Sequence, residues 1–254
     1  MVDAIDRKRA EVLSESPAVV DALLTRTAKH MLSSLQGKWV KPIENEVISA
    51  AFVFYRRFFS VQSPVRFDPE HVFLVALALA CKTEESHSIT LKDITAGELF
   101  HTEEATELEL VLMESLDFQL QIQQPWPIIM FFCSRLAEKG KSDAAKRLFD
   151  SSCDAVSVWQ RTDAASILQL SLLGFAAVYI SSDSCGVTES IKEITETEFG
   201  SEALIILDAL PSEIANIVNR HANMRPSSET IDSFAARCRE ARSLEPKRRR
   251  MRLS

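Results

Sequence analysis

FDPEHVFLVALALACKTEE, residues Phe67–Glu85, holds ten consecutive apolar residues from Val72 to Cys81. Asp68 is a good N-cap, and Pro69 suits the first helical position, where its missing N–H is not needed. The run falls short of the roughly 18–20 apolar residues a bilayer span takes. It is long for one buried strand, and Leu and Ala outnumber the β-branched residues. The stretch predicts a helix that is apolar all round, and such a helix must be enclosed by others.

The rest of the chain supplies the enclosure. Ser16-Pro17 opens a helix with Val20, Leu23, Leu24, Ala28, Met31, Leu32 and Leu35 at 3–4 spacing, ended by Gly37. A second begins near Pro42, with Val47, Ile48, Ala51, Phe52, Tyr55 and Phe59 on one face and Arg56-Arg57 marking the wet side. After the buried third helix comes a short piece around Leu91, Ile94 and Leu99. A helix opened by Thr102 follows, with Leu108, Val111, Leu112 and Leu116 as its apolar residues. The order then repeats after Pro125-Trp126-Pro127. Ile128–Leu136 starts a helix ending near Gly140; then come Ser142–Trp159, the nearly all-apolar Ile167–Ile180, a short Thr188–Ile194 segment, and a helix from Ser201 past Pro211 towards His221. Pro226-Ser227-Ser228-Glu229 begins a last helix, and a basic tail follows. The expectation is an all-α chain of two tandem five-helix units with short terminal helices: an arm over residues 1–15, units over 16–122 and 123–224, and a terminal helix and tail over 225–254.

Composition agrees and excludes several classes. The 254 residues include only 6 Gly and 9 Pro, few for a sandwich or barrel, and 46 % are hydrophobic. A net charge of −7 disfavours a general nucleic-acid binder. The five cysteines form no CxxC pair, and the histidines have no ligand spacing, so neither a metal nor a disulfide framework is expected. The first residues form no hydrophobic signal segment, so an intracellular protein with reduced thiols is expected. Phosphate-cradling glycine loops, HExxH, GxSxG and the kinase signature set are all missing. No enzyme and no cofactor is expected.

FYRRFF (Phe54–Phe59), ALACKTEE (Ala78–Glu85) and ELELVLMESLDFQLQIQQPW (Glu107–Trp126), set in a doubled five-helix unit, resemble the cyclin family. In that family's pattern a Lys closes the third helix and a Glu in the fifth precedes an aromatic by nine residues; here these are Lys82, Glu109 and Phe118. Within the family the H branch is nearest, through the late segment RHANMRPSSETIDSFAARCREAR (Arg220–Arg242) and a basic tail; the C branch is the second choice. The resemblance implies two cyclin boxes. It implies a regulatory subunit that binds and activates a cyclin-dependent protein kinase, acting on other such kinases and on the RNA polymerase II C-terminal repeats within transcription factor IIH. Partners would be that kinase, a third assembly subunit and transcription factor IIH, without membrane or direct nucleic-acid contact, and the location would be the nucleus. The contact set carried over by position is Lys82, Glu109, Leu79, Thr83, Leu110, Met113, Phe118 and Leu120.

Plainer readings compete. The helix dipole alone accounts for a Lys at a helix C-terminus and for a Glu near an N-terminus. Leu79, Leu110 and Met113 could equally be core. Lys247, Arg248, Arg249, Arg250 and Arg252 are a nuclear-localisation candidate or a solvated end. A transcription factor IIB-like adaptor, also built of two such repeats, would need a zinc ribbon and a basic face; the missing CxxC pairs and the −7 charge argue against it.

Overall fold

Asp68 caps the helix from which the reading began: its carboxylate accepts the Glu70 N–H at 3.0 Å, with Pro69 at the first helical position. A computed structural model describes residues 15–36, 43–87, 89–95, 101–159, 169–223 and 226–243. Among them every regular element is a helix: α1 (Pro17–Gln36), α2 (Asn45–Val61), α3 (Pro69–Thr83), α4 (Leu91–Thr95), α5 (Thr102–Ser115), α6 (Trp126–Glu138), α7 (Ser142–Trp159), α8 (Leu170–Ser184), α9 (Thr188–Phe199), α10 (Ser201–Asn223) and α11 (Ser228–Ser243). None is long and apolar enough to cross a membrane. The expected ends near Gly37 and Pro42, the start at Ile167, Leu99, and the tail cations Lys247 to Arg252 lie outside the described residues.

The chain divides into two units, 1–121 with 224–254, and 122–223. In the first, α3 is the axis. Every residue from Val72 to Cys81 is buried, against α1, α2, α4 and α5. Phe52, Tyr55 and Phe73 meet edge to face at 5.4–5.5 Å, a geometry the ring quadrupole favours. The buried Tyr55 hydroxyl donates to the Leu24 carbonyl at 3.3 Å. Arg56 does not face water as its sequence position suggests. It is buried, pairs with Asp21 and donates to Thr25 Oγ1 at 2.5 Å, while Arg57 is exposed. The correction has a plain cause: adjacent helical residues point about 100° apart, so α1 can cover one arginine and leave the other wet.

The terminal helix α11 packs on α1 in this first unit, through Val19, Leu23, Ile231, Phe234, Ala235 and Cys238. In the second unit α8 takes the axial place, against α6, α7, α9 and α10. Gly174 lets α8 lie against the turn before α6; a Cβ there would stand 2.6 Å from the Pro125 carbonyl oxygen.

Candidate functional site: the Lys82–Glu109 edge of the first unit

Two helix ends build the edge, and neither closes with glycine. At the end of α3 the Ser86 N–H returns to the Cys81 carbonyl at 2.9 Å, with Glu85 left-handed at φ 53°. At the end of α5 the Phe118 N–H returns to the Met113 carbonyl at 3.0 Å, with Asp117 and Phe118 both left-handed at φ 50° and 55°. These are six-to-one closures that normally use glycine or asparagine. A bulky residue at positive φ costs of order 1–3 kcal/mol and tends to mark functional segments. Here the strain turns the Phe118 side chain outward, 61 % exposed.

Between the ends, Lys82 Nζ and Glu109 Oε1 meet at 2.6 Å, 27 residues apart in sequence. The two side chains are unequally placed, Lys82 55 % exposed and Glu109 10 %. The dipole accounts for Lys82, in the last turn of α3. It does not account for Glu109, the eighth residue of the fourteen in α5, because the effect fades within one turn. A carboxylate in mid-helix at the boundary of the core is tolerable because it is paired. An ammonium has three donors; one goes to Glu109, and its outer side stays in water.

The other positions sort by exposure. Leu110 is 49 % exposed, and Met113, one turn on, is half-buried, as is Leu120. Met113 lies one turn from both Glu109 and Leu110 on α5, at i+4 and i+3. Thr83 is half-buried, its hydroxyl donating to the Ala80 carbonyl at 3.1 Å. Leu79 is 3 % exposed, so it forms the floor beneath Lys82 and Thr83 rather than surface. The geometry therefore joins one cation to one carboxylate, with four apolar side chains, Leu110, Met113, Phe118 and Leu120, exposed or half-buried along α5 and the turn after it. Such an edge can read the backbone polar groups of a partner segment while covering its apolar side chains.

Sequence reading missed the flank of this edge. A cavity of about 490 Å³ lies beside Lys82, lined by Cys81, Glu85, Ser86, His87, Ile89 and Thr90. Ser86-His87 reads as plain loop, and the signal available was the absence of glycine after Thr83. Burial pushes the Cys81 thiol up, so it behaves as an apolar lining group.

The second unit repeats the frame without the chemistry. Gly186 is left-handed after α8 as Glu85 is after α3. Counting back three residues from each places Asp183 where the first unit has Lys82.

Residues 38–121 match the family described as cyclin, N-terminal domain. Among curated proteins, the chain is 31 % identical over 91 residues to cyclin CCL1 of Saccharomyces cerevisiae, over 35 % of this chain and 23 % of that protein. It is 29 % identical over 148 residues to cyclin-C1-2 of Arabidopsis thaliana, over 55 % and 56 %. It is 29 % identical over 86 residues to the putative cyclin-H of Dictyostelium discoideum, over 33 % and 29 %. The chain thus spans between about a quarter and a little over half of these relatives. Among solved structures, a chain of the CAK complex of Chaetomium thermophilum superposes with a TM-score of 0.68 at 17 % identity, covering 95 % of this chain and 80 % of that one. A chain of the yeast TFIIK (Kin28/Ccl1/Tfb3) complex gives 0.64 at 21 %, covering 84 % and 93 %. At these identities the superpositions establish the fold, in tandem five-helix form.

Proposed function

We propose that this chain is a regulatory subunit of a cyclin-dependent protein kinase, because residues 38–121 match the cyclin N-terminal domain family and the chain has the matching tandem fold. It is of the type of cyclin H and not itself an enzyme. The observation that carries the reading is the Lys82–Glu109 pair at 2.6 Å, flanked by exposed Leu110 and Phe118.

The mechanism follows from that edge. In protein kinases a lysine–glutamate pair is completed only when helix αC is swung in, and αC position is a control point. Lys82 and Glu109 bond the carbonyls and amides of the segment leading into αC. Leu110, Met113, Phe118 and Leu120 cover its apolar side chains, and Thr83 closes the rim. Holding αC shifts the kinase towards its active arrangement by the differential contact energy between the two states.

The partner assembly is the kinase-activating complex. The reading draws support from putative cyclin-H, from the CAK complex and from TFIIK, whose three named components include a third subunit beside kinase and cyclin. Its outputs are phosphorylation of other cyclin-dependent kinases and of the RNA polymerase II C-terminal repeats within transcription factor IIH, and its location is the nucleus. A second reading, the cyclin C-like subunit of the Mediator kinase, is favoured by the 148-residue match to cyclin-C1-2. Affinity purification of the full chain with mass spectrometry of its partners tests both. A cyclin-dependent kinase with transcription factor IIH subunits supports the first, Mediator subunits the second, and absence of any kinase overturns both.

A further inference from the structure

Helix α10 is apolar on two sides. Leu207, Leu210, Ile214 and Ile217 are buried in the second unit. On the other side Ile205 and Ile206 are 73 % and 54 % exposed. Glu202, Ile205, Ile206, Ala209 and Glu213 fall at i, i+3, i+4, i+7 and i+11 and are all exposed. That spacing makes one continuous stripe, aliphatic in the middle and acidic at both ends.

The helix and its neighbour α9 carry an excess of carboxylates, although Glu193 and Glu198 of α9 are paired with Lys139 and Arg135 at the end of α6. Between residues 188 and 217 there are seven carboxylates and one cation, Lys192. Asp208, on the same helix, accepts the Tyr179 hydroxyl and so ties α10 to α8. Asp183, at the end of α8, adds a further exposed carboxylate. A single exposed isoleucine needs no explanation. Two adjacent ones, on a stripe with an exposed glutamate at each end, form an apolar strip with acidic ends, and complementary charge selects its partner.

We propose that the outer face of α10 is a docking site for a basic amphipathic helix of another protein. Aliphatic side chains at i and i+3 or i+4 spacing pack on Ile205 and Ile206, and Lys or Arg lies beside Glu202 and Glu213. A second copy of this chain fits poorly, because pairing two such stripes sets glutamate against glutamate. The site is independent of Lys82 and of the kinase reading.

The test uses the full chain and a fluorescein-labelled synthetic peptide of about 18 residues, leucines spaced along one helical face and lysines elsewhere. Anisotropy should report binding that Ile205→Ser with Ile206→Ser weakens at least roughly tenfold. Val158→Ser, another exposed aliphatic of the same unit, and Lys82→Ala should leave it unchanged. A glutamate version of the peptide should not bind, and Glu202→Gln with Glu213→Gln should flatten the salt dependence. Circular dichroism checks that each variant is folded. Unchanged binding by the isoleucine variant, equal loss with Val158→Ser, or binding of the glutamate peptide overturns the proposal. So does a sedimenting dimer that the isoleucine variant dissolves, which would assign the face to a second copy.

Discussion

Arg242, the penultimate residue of α11, donates to Asp68 Oδ2 at 2.8 Å across 174 residues of sequence. The other oxygen of the same carboxylate caps α3. Arg242 is buried and also donates to the Pro64 carbonyl. One aspartate therefore starts the central helix and anchors the last one.

Arg242→Ala should lower stability by about 2–4 kcal/mol, since it leaves a part-buried carboxylate and a carbonyl without their partner. Thermal unfolding should move down by roughly 5–10 °C. Arg26→Ala, which breaks an exposed pair with Asp232, should cost less than about 1 kcal/mol. Equal effects would show that burial is not what gives the first pair its weight.

Gly174→Ala should destabilise the second unit by about 1–3 kcal/mol or more, because the new methyl meets backbone that cannot rotate away. Urea unfolding read from Trp126, in the same unit, measures it. A neutral result would mean that the α8–Pro125 approach is looser than described.

Burial pushes the Cys238 thiol from 9.0 up to about 11. The unfolded chain gives up this proton at lower pH than the folded one does. Stability from this group is therefore complete below pH 9.0 and is lost as pH rises towards about 11. Urea midpoints measured across that window should fall more steeply for the wild type than for Cys238→Ala. Parallel curves would remove Cys238 as the cause.

Phe118→Gly relieves a left-handed aromatic and removes an exposed apolar group. Stability should hold or rise by up to about 1 kcal/mol, while kinase binding should weaken by at least roughly 1–2 kcal/mol. Calorimetry on chain and complex measures both. A loss of stability, or unchanged binding, would show that the strain at Phe118 serves the fold.

Much of this was legible in the sequence, and for physical reasons. Apolar runs and their caps are local, so Asp68-Pro69 and the Val72–Cys81 run define α3 without reference to anything else, and the helix expected from Ser142 starts there. Whatever depends on which neighbour arrives was not legible. Arg56 looked wet because nothing in FYRRFF says that Asp21 will cover it. Nothing in the sequence marks Arg242, because the carbonyl and carboxylate it bonds lie 174 or more residues away. At the site, the resemblance to the cyclin family singled out Lys82 and Glu109, but only the fold distinguishes buried Leu79 from exposed Leu110 and Phe118. The closing turns were missed because their one mark in the sequence is an absence, the lack of a glycine after Thr83.

Under the proposed function, Lys82 and Glu109 read a kinase segment beyond holding each other. Isothermal titration of a recombinant cyclin-dependent kinase with the charge-swapped chain, Lys82→Glu with Glu109→Lys, separates the two roles, since the swap keeps an internal pair but reverses what faces the partner. The swapped chain should fold and should bind more weakly by roughly 2–5 kcal/mol. A swapped chain that binds the kinase as the wild type does would contradict it.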